Sequence, residues 1–144
     1  MEISGETIEM RPGQPCTHCT NEGCAIYEER PENPCRVFNC AWLQNEAEFP
    51  DDMRPDLCGA IVLEGRPWRG WEVLQATPVG AEVPRETLER LRVYSQAKDI
   101  PLVFYERDMI DGQYTGGGRQ RAFGSHQFAA AVNNQIVASD VVKL

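Results

Sequence analysis

Residues 84–105, PRETLERLRVYSQAKDIPLVFY, decide the fold class. Pro84 suits the start of a helix, where its missing N–H would have no partner anyway. Leu88 and Leu91 follow at a helical step, and Glu86 precedes Arg90 by four residues, a stabilising spacing on a helix surface. The spacing predicts a helix from Pro84 to about Lys98. Ile100-Pro101-Leu102-Val103-Phe104-Tyr105 then has the β-branched and aromatic content of a strand. Working back, Ala60-Ile61-Val62-Leu63 and Trp71-Glu72-Val73-Leu74-Gln75-Ala76 predict two more strands, with Arg66, Pro67 and Gly70 as turn material between them. Working forward, Arg119 to Phe123 predicts a fourth strand after a turn at Gly116-Gly117-Gly118. Phe128 to Val132 fits a strand or a helical turn, and Asn133-Asn134 fits a turn. The expected class is α+β: a small loop-rich cysteine lobe followed by a small, mostly antiparallel sheet with one main helix.

The chain is lopsided about Cys58. Of its 144 residues, the first 58 carry twelve acids and four arginines, and the remaining 86 carry ten acids and ten bases. The net charge of −8 therefore belongs to the front. All six cysteines, Cys16, Cys19, Cys24, Cys35, Cys40 and Cys58, lie there too. We expect residues 1–58 to form an acidic metal-binding lobe and residues 59–144 an α+β lobe, packed as one unit, because neither part alone has much core. The acidic balance disfavours a nucleic-acid partner, whose binding rests on cations meeting phosphates. No apolar run approaches the roughly 20 residues of a membrane span. The start of the chain lacks the basic and apolar regions of a secretory signal. These features place the expected protein in the cytoplasm, with no membrane partner.

The cysteine spacing is C-x2-C-x4-C-x10-C-x4-C, with seventeen more residues before Cys58. Thiolates are soft, charged ligands, and four of them satisfy tetrahedral Zn(II) with no open position. A thin lobe gains from such a staple, because metal binding substitutes for missing core. Disulfides would use six cysteines but belong in oxidising compartments. A redox C-x2-C belongs at a helix start, whereas Cys16-Thr17-His18-Cys19 lies in loop sequence. The expected ligands are Cys16, Cys19, Cys24, Cys35 and Cys40, of which four bind; spacing does not choose among them. On an ideal helix Cys35 and Cys40 would stand about 140° apart around the axis. A site using both needs a helix, expected from Pro34 to about Asn39 with Asn33 as its cap, to stop there. Cys58 is expected to be a buried thiol beside the first strand.

Cys24-Ala25-Ile26-Tyr27-Glu28-Glu29-Arg30-Pro31 and Cys35-Arg36-Val37-Phe38-Asn39-Cys40 resemble the bacterial YkgJ-type cysteine-cluster family. The likeness spans roughly residues 14–63 and implies a zinc- or iron-chelating domain. It matches Cys16, Cys24, Cys35 and Cys40 to family positions; Cys19 belongs to a C-x2-C version. The chain departs from the family in lacking an earlier cysteine-rich block, which implies one metal rather than a larger cluster. The cofactor expected is zinc, with iron or an iron–sulfur centre as the alternative; spacing alone does not separate them.

Other features fall to ordinary packing or turns. Gly116-Gly117-Gly118-Arg119 lacks the Lys-Ser/Thr of a phosphate loop and is expected to be a hairpin. Ser125-His126 has no orienting acid, so no catalytic residue is assigned and enzymatic activity is not expected. Trp68 and Trp71 are expected to pack inside or between lobes rather than form a stacking patch. His18 is expected beside the metal site, not in it. Arg30 and Arg36 are expected either to bond sulfur and carbonyls or to pair with nearby glutamates.

Overall fold

The computed structural model describes residues 3–4, 8–11, 14–132 and 141–143, with side chains at residues 8, 10–11 and 14–132. The class is α+β, as expected. Two small antiparallel pairings come first: β1 (Ile3–Ser4) with β2 (Glu9–Met10), and β3 (Cys19–Thr20) with β4 (Gly23–Cys24). Short helices follow, α1 (Ala41–Gln44) and α2 (Pro55–Cys58), with one 3-10 turn at Asp51–Met53 between them. The rest is β5 (Ala60–Trp68), β6 (Trp71–Pro78), α3 (Arg85–Lys98), β7 (Leu102–Ile110), β8 (Gln113–Gly124), α4 (His126–Val132) and β9 (Val141–Lys143).

Strands β5 to β9 form one five-stranded sheet in sequence order. The two long pairings, β5/β6 and β7/β8, are antiparallel, as expected. The pairings β6/β7 and β8/β9 are parallel, which makes the sheet mixed. Parallel neighbours need a crossover, and α3 and α4 supply one each. Strands β6 and β8 run in opposite directions. Crossovers of one hand from two such strands place their helices on opposite faces of the sheet. That arrangement is found: α3 buries Leu91 against Val62, Leu74, Leu102 and Phe104, while α4 buries Phe128 and Val132 against Val73, Val103 and Ala122.

Helix α3 runs as predicted. Thr87, Leu91 and Ser95 are its buried positions, spaced by one turn. It stops at Asp99, which adopts a left-handed conformation (φ 53°), and the Ser95 hydroxyl donates to the Ile100 carbonyl at 2.5 Å. Trp68 and Trp71 pack on Phe128, with ring centroids 5.8 and 5.2 Å away. The front contributes to the first core: Ala41, Phe49, Met53 and Cys58 join the α3 side, and the Thr87 hydroxyl donates to the Cys58 carbonyl at 2.7 Å.

Two local expectations are corrected, and one left open is decided. No α-helix spans residues 34–39. Asn33 is extended (φ −110°, ψ 125°), as a following proline favours, and residues 32–36 make a wide turn closed by the Arg36 and Val37 amides. The β7/β8 turn is not at Gly116–Gly118. It lies at Asp111-Gly112, where both φ angles are positive, 50° and 75°, the requirement of a tight hairpin turn. Residues 128–132 are helical, and the expected Asn133-Asn134 turn lies outside the described residues.

Candidate metal centre

From residue 14 to residue 39 no described side chain is buried, so this segment lies outside both cores. Its order comes from local hydrogen bonds. The Cys19 amide donates to the Cys16 carbonyl at 2.9 Å and closes a turn. Within that turn the His18 amide points at the Cys16 sulfur, 3.4 Å away. The chain then enters the β3/β4 hairpin, whose turn is held by the Thr20 hydroxyl donating to the Gly23 carbonyl at 2.9 Å. Cys19 and Cys24 are register partners in this hairpin. Directly opposed residues present their side chains on one face, with Cβ atoms about 4.5–5.5 Å apart. Both sulfurs therefore emerge on the same side.

Arginines fix the return loop that carries Cys35. Arg30 donates to the Tyr27 carbonyl at 2.8 Å and lies over the Tyr27 ring, 3.7 Å from its centroid. Arg36 donates to the Arg30 carbonyl at 2.9 Å and to the Glu28 carbonyl at 2.7 Å. Of the two roles expected for these arginines, bonding to carbonyls is the one observed. The result is a closed loop that returns Cys35 toward the hairpin.

Cys16, Cys19, Cys24 and Cys35 line a single open cavity of about 850 Å3. His18, Arg30 and Arg36 also line it, and Phe38, Leu43 and Ile61 form its apolar side. The cations around the cavity offset the excess charge that four thiolates would bring. All six cysteines are free thiols. Among the described residues no three Cys, His, Asp or Glu side chains are gathered as a ready metal site. Zinc–sulfur bonds of about 2.3 Å require the two short strands and the return loop to draw inward.

The other two cysteines are placed elsewhere. Cys40 is 3% exposed and does not line the cavity. Its carbonyl accepts the first amide bonds of α1, from Leu43 and Gln44, so it serves packing and helix initiation. Cys58 is 6% exposed, and its thiol reaches the Met53 and Ala60 carbonyls at 3.3 and 3.2 Å. Burial pushes this thiol's pKa up, opposite to what a metal ligand needs. Cys16, Cys19, Cys24 and Cys35 thus share one cavity lining, and Cys40 and Cys58 lie outside it. Comparisons of this chain with protein-family models, with curated proteins and with solved structures return no match.

Proposed function

We propose that this protein binds one zinc ion through Cys16, Cys19, Cys24 and Cys35, and that the ion staples residues 14–39 into one folded unit. The observation that carries the reading is that these four thiols, spread over twenty residues, line one cavity with Cys19 and Cys24 directly opposed. Four sulfurs close a tetrahedral shell and leave no position for substrate, so the centre is structural rather than catalytic. The likeness of residues 24–40 to YkgJ-type cysteine-cluster proteins supports metal chelation as the role. Free thiols of this kind persist in a reducing compartment, which favours the cytoplasm. No described helix is long and apolar enough to cross a membrane.

Cobalt(II) substitution tests the ligand set. The wild-type protein should show an intense thiolate-to-metal charge-transfer band at one equivalent of cobalt. Serine at Cys16, Cys19, Cys24 or Cys35 should each weaken or abolish the band. Cys40→Ser and Cys58→Ser should keep it. A band lost only in Cys40→Ser or Cys58→Ser, with folding verified by circular dichroism, would move the site to those thiols. No band in the wild type would remove the metal altogether.

A further inference from the structure

The six cysteines differ in how they meet solvent. Cys40 and Cys58 are buried, Cys16 and Cys35 are half-buried, and Cys19 and Cys24 are exposed. The two exposed thiols are the two that face each other across the β3/β4 hairpin.

Backbone bonding fixes the kind of pair they make. In an antiparallel ladder, residues that exchange hydrogen bonds alternate with residues that do not, and the second kind stand closer. One step further from the turn, the Ala25 amide donates to the His18 carbonyl at 2.8 Å, so His18 and Ala25 belong to the first kind. Cys19 and Cys24 then belong to the second. Their own backbone groups turn away from each other: the Cys19 amide donates to the Cys16 carbonyl at 2.9 Å, and the Cys24 carbonyl accepts from the Tyr27 amide at 3.2 Å. The Cα atoms of such a pair stand about 4.5 Å apart, inside the roughly 4.4–6.8 Å that a disulfide spans. The Cβ atoms have to close by about 1 Å to reach disulfide spacing, a small shift for a two-stranded hairpin outside both cores. The Cys16 sulfur, by contrast, accepts the His18 amide within its own turn at 3.4 Å.

We propose that Cys19 and Cys24 are an oxidation site: hydrogen peroxide converts them to a disulfide across the hairpin, and this modification releases the zinc ion. The release rests on the four-thiolate centre proposed above; the disulfide rests on the hairpin alone. One sulfur attacks a peroxide oxygen, the O–O bond breaks, and a sulfenic acid and one water result. The second sulfur attacks the first; the S–S bond forms, the S–O bond breaks, and the oxygen leaves as a second water. The two sulfurs lose two electrons to the peroxide. The two protons that complete the waters come from the thiols or, where zinc holds thiolates, from solvent. Cys16 and Cys35 then supply only two of the four ligands that a structural zinc site needs.

Treating zinc-loaded protein with one equivalent of hydrogen peroxide and mapping its bridges by mass spectrometry tests both parts. Glu22 lies between the two cysteines, so cleavage after glutamate turns a Cys19–Cys24 bridge into a link between two peptides, whereas a Cys16–Cys19 bridge stays within one. Fragmentation of the linked peptides tells Cys19 from Cys16. The Cys19–Cys24 bridge should exceed every other ten-fold or more, free thiols should fall from six to four, and one equivalent of zinc should pass to a weak chromophoric chelator. Dithiothreitol and added zinc should reverse all three. A dominant bridge elsewhere, or none, would overturn the oxidation site while the zinc centre stands. The expected bridge with zinc retained would overturn the release. Protein that never carries zinc yet forms this bridge selectively would overturn the metal centre and the release with it, and uphold the oxidation site.

Discussion

Stripping the metal with a strong chelator is expected to abolish hydrogen-exchange protection across residues 14–39 while α3 and the central strands keep theirs. The reason is the distribution of burial. No described side chain from residue 14 to residue 39 is buried, so this stretch has only turn hydrogen bonds and the proposed thiolate centre to oppose its chain entropy. Structural zinc contributes on the order of 10–16 kcal/mol of apparent binding energy in small domains. The boundary of the effect should fall at Cys40. Immediately beyond it, Ala41, Phe49, Met53 and Cys58 are packed into the α3 core and do not need the ion. Cys35→Ser should reproduce the chelator's effect. Unchanged protection across residues 14–39 after verified metal removal would show that the loop hydrogen bonds suffice and that the ion is no staple.

Phe128→Ala is expected to cost about 3–5 kcal/mol, the usual range for deleting a fully buried aromatic ring. Phe128 is 0% exposed. Its ring meets Trp71 edge-on and Trp68 at a tilt, and it fills the space that a side chain at Gly124 would otherwise occupy. Removing it strips the second sheet face of the ring that anchors α4. Against a total stability of about 5–15 kcal/mol for an ordinary domain, this is a large fraction. Urea unfolding would measure the loss. Fluorescence would locate it, because Trp68 and Trp71 should shift to longer wavelength as α4 loosens. A loss below about 1 kcal/mol, with unshifted emission, would mean that α4 does not depend on this contact; the usual ring-deletion cost sets that threshold.

Much of this architecture is legible in single residues. Pro84, the Leu88–Leu91 step and Lys98 mark α3 because helix ends are written in local chemistry. The strands of the sheet show in their β-branched and aromatic runs, although their ends run on: β5 reaches Trp68 and β8 begins at Gln113. The parallel pairings are less legible, because a strand's composition does not say which neighbour it will meet or in which direction. Residues 128–132 illustrate a different gap. Three alanines and a valine have no decisive preference, and the helix is fixed by Phe128 docking on two tryptophans, a tertiary contact.

The same contrast holds at the sites. Three of the four cavity cysteines follow from local spacing, since the C-x2-C turn and the hairpin after it are built from consecutive residues. The separation of Cys35 from Cys40 does not follow. It depends on an extended Asn33 before Pro34 and on where α1 docks, and the second is decided by the core rather than by the motif. The glycine run that looks like a hairpin turn proves to be a bulge in β8.

X-ray absorption at the zinc edge, on protein purified without nickel resin or chelator, tests the central claim most directly. Four sulfur scatterers at about 2.3 Å and one zinc per chain are the predicted result. A shell with nitrogen or oxygen in place of sulfur, or protein that carries no zinc, would contradict the four-thiolate centre.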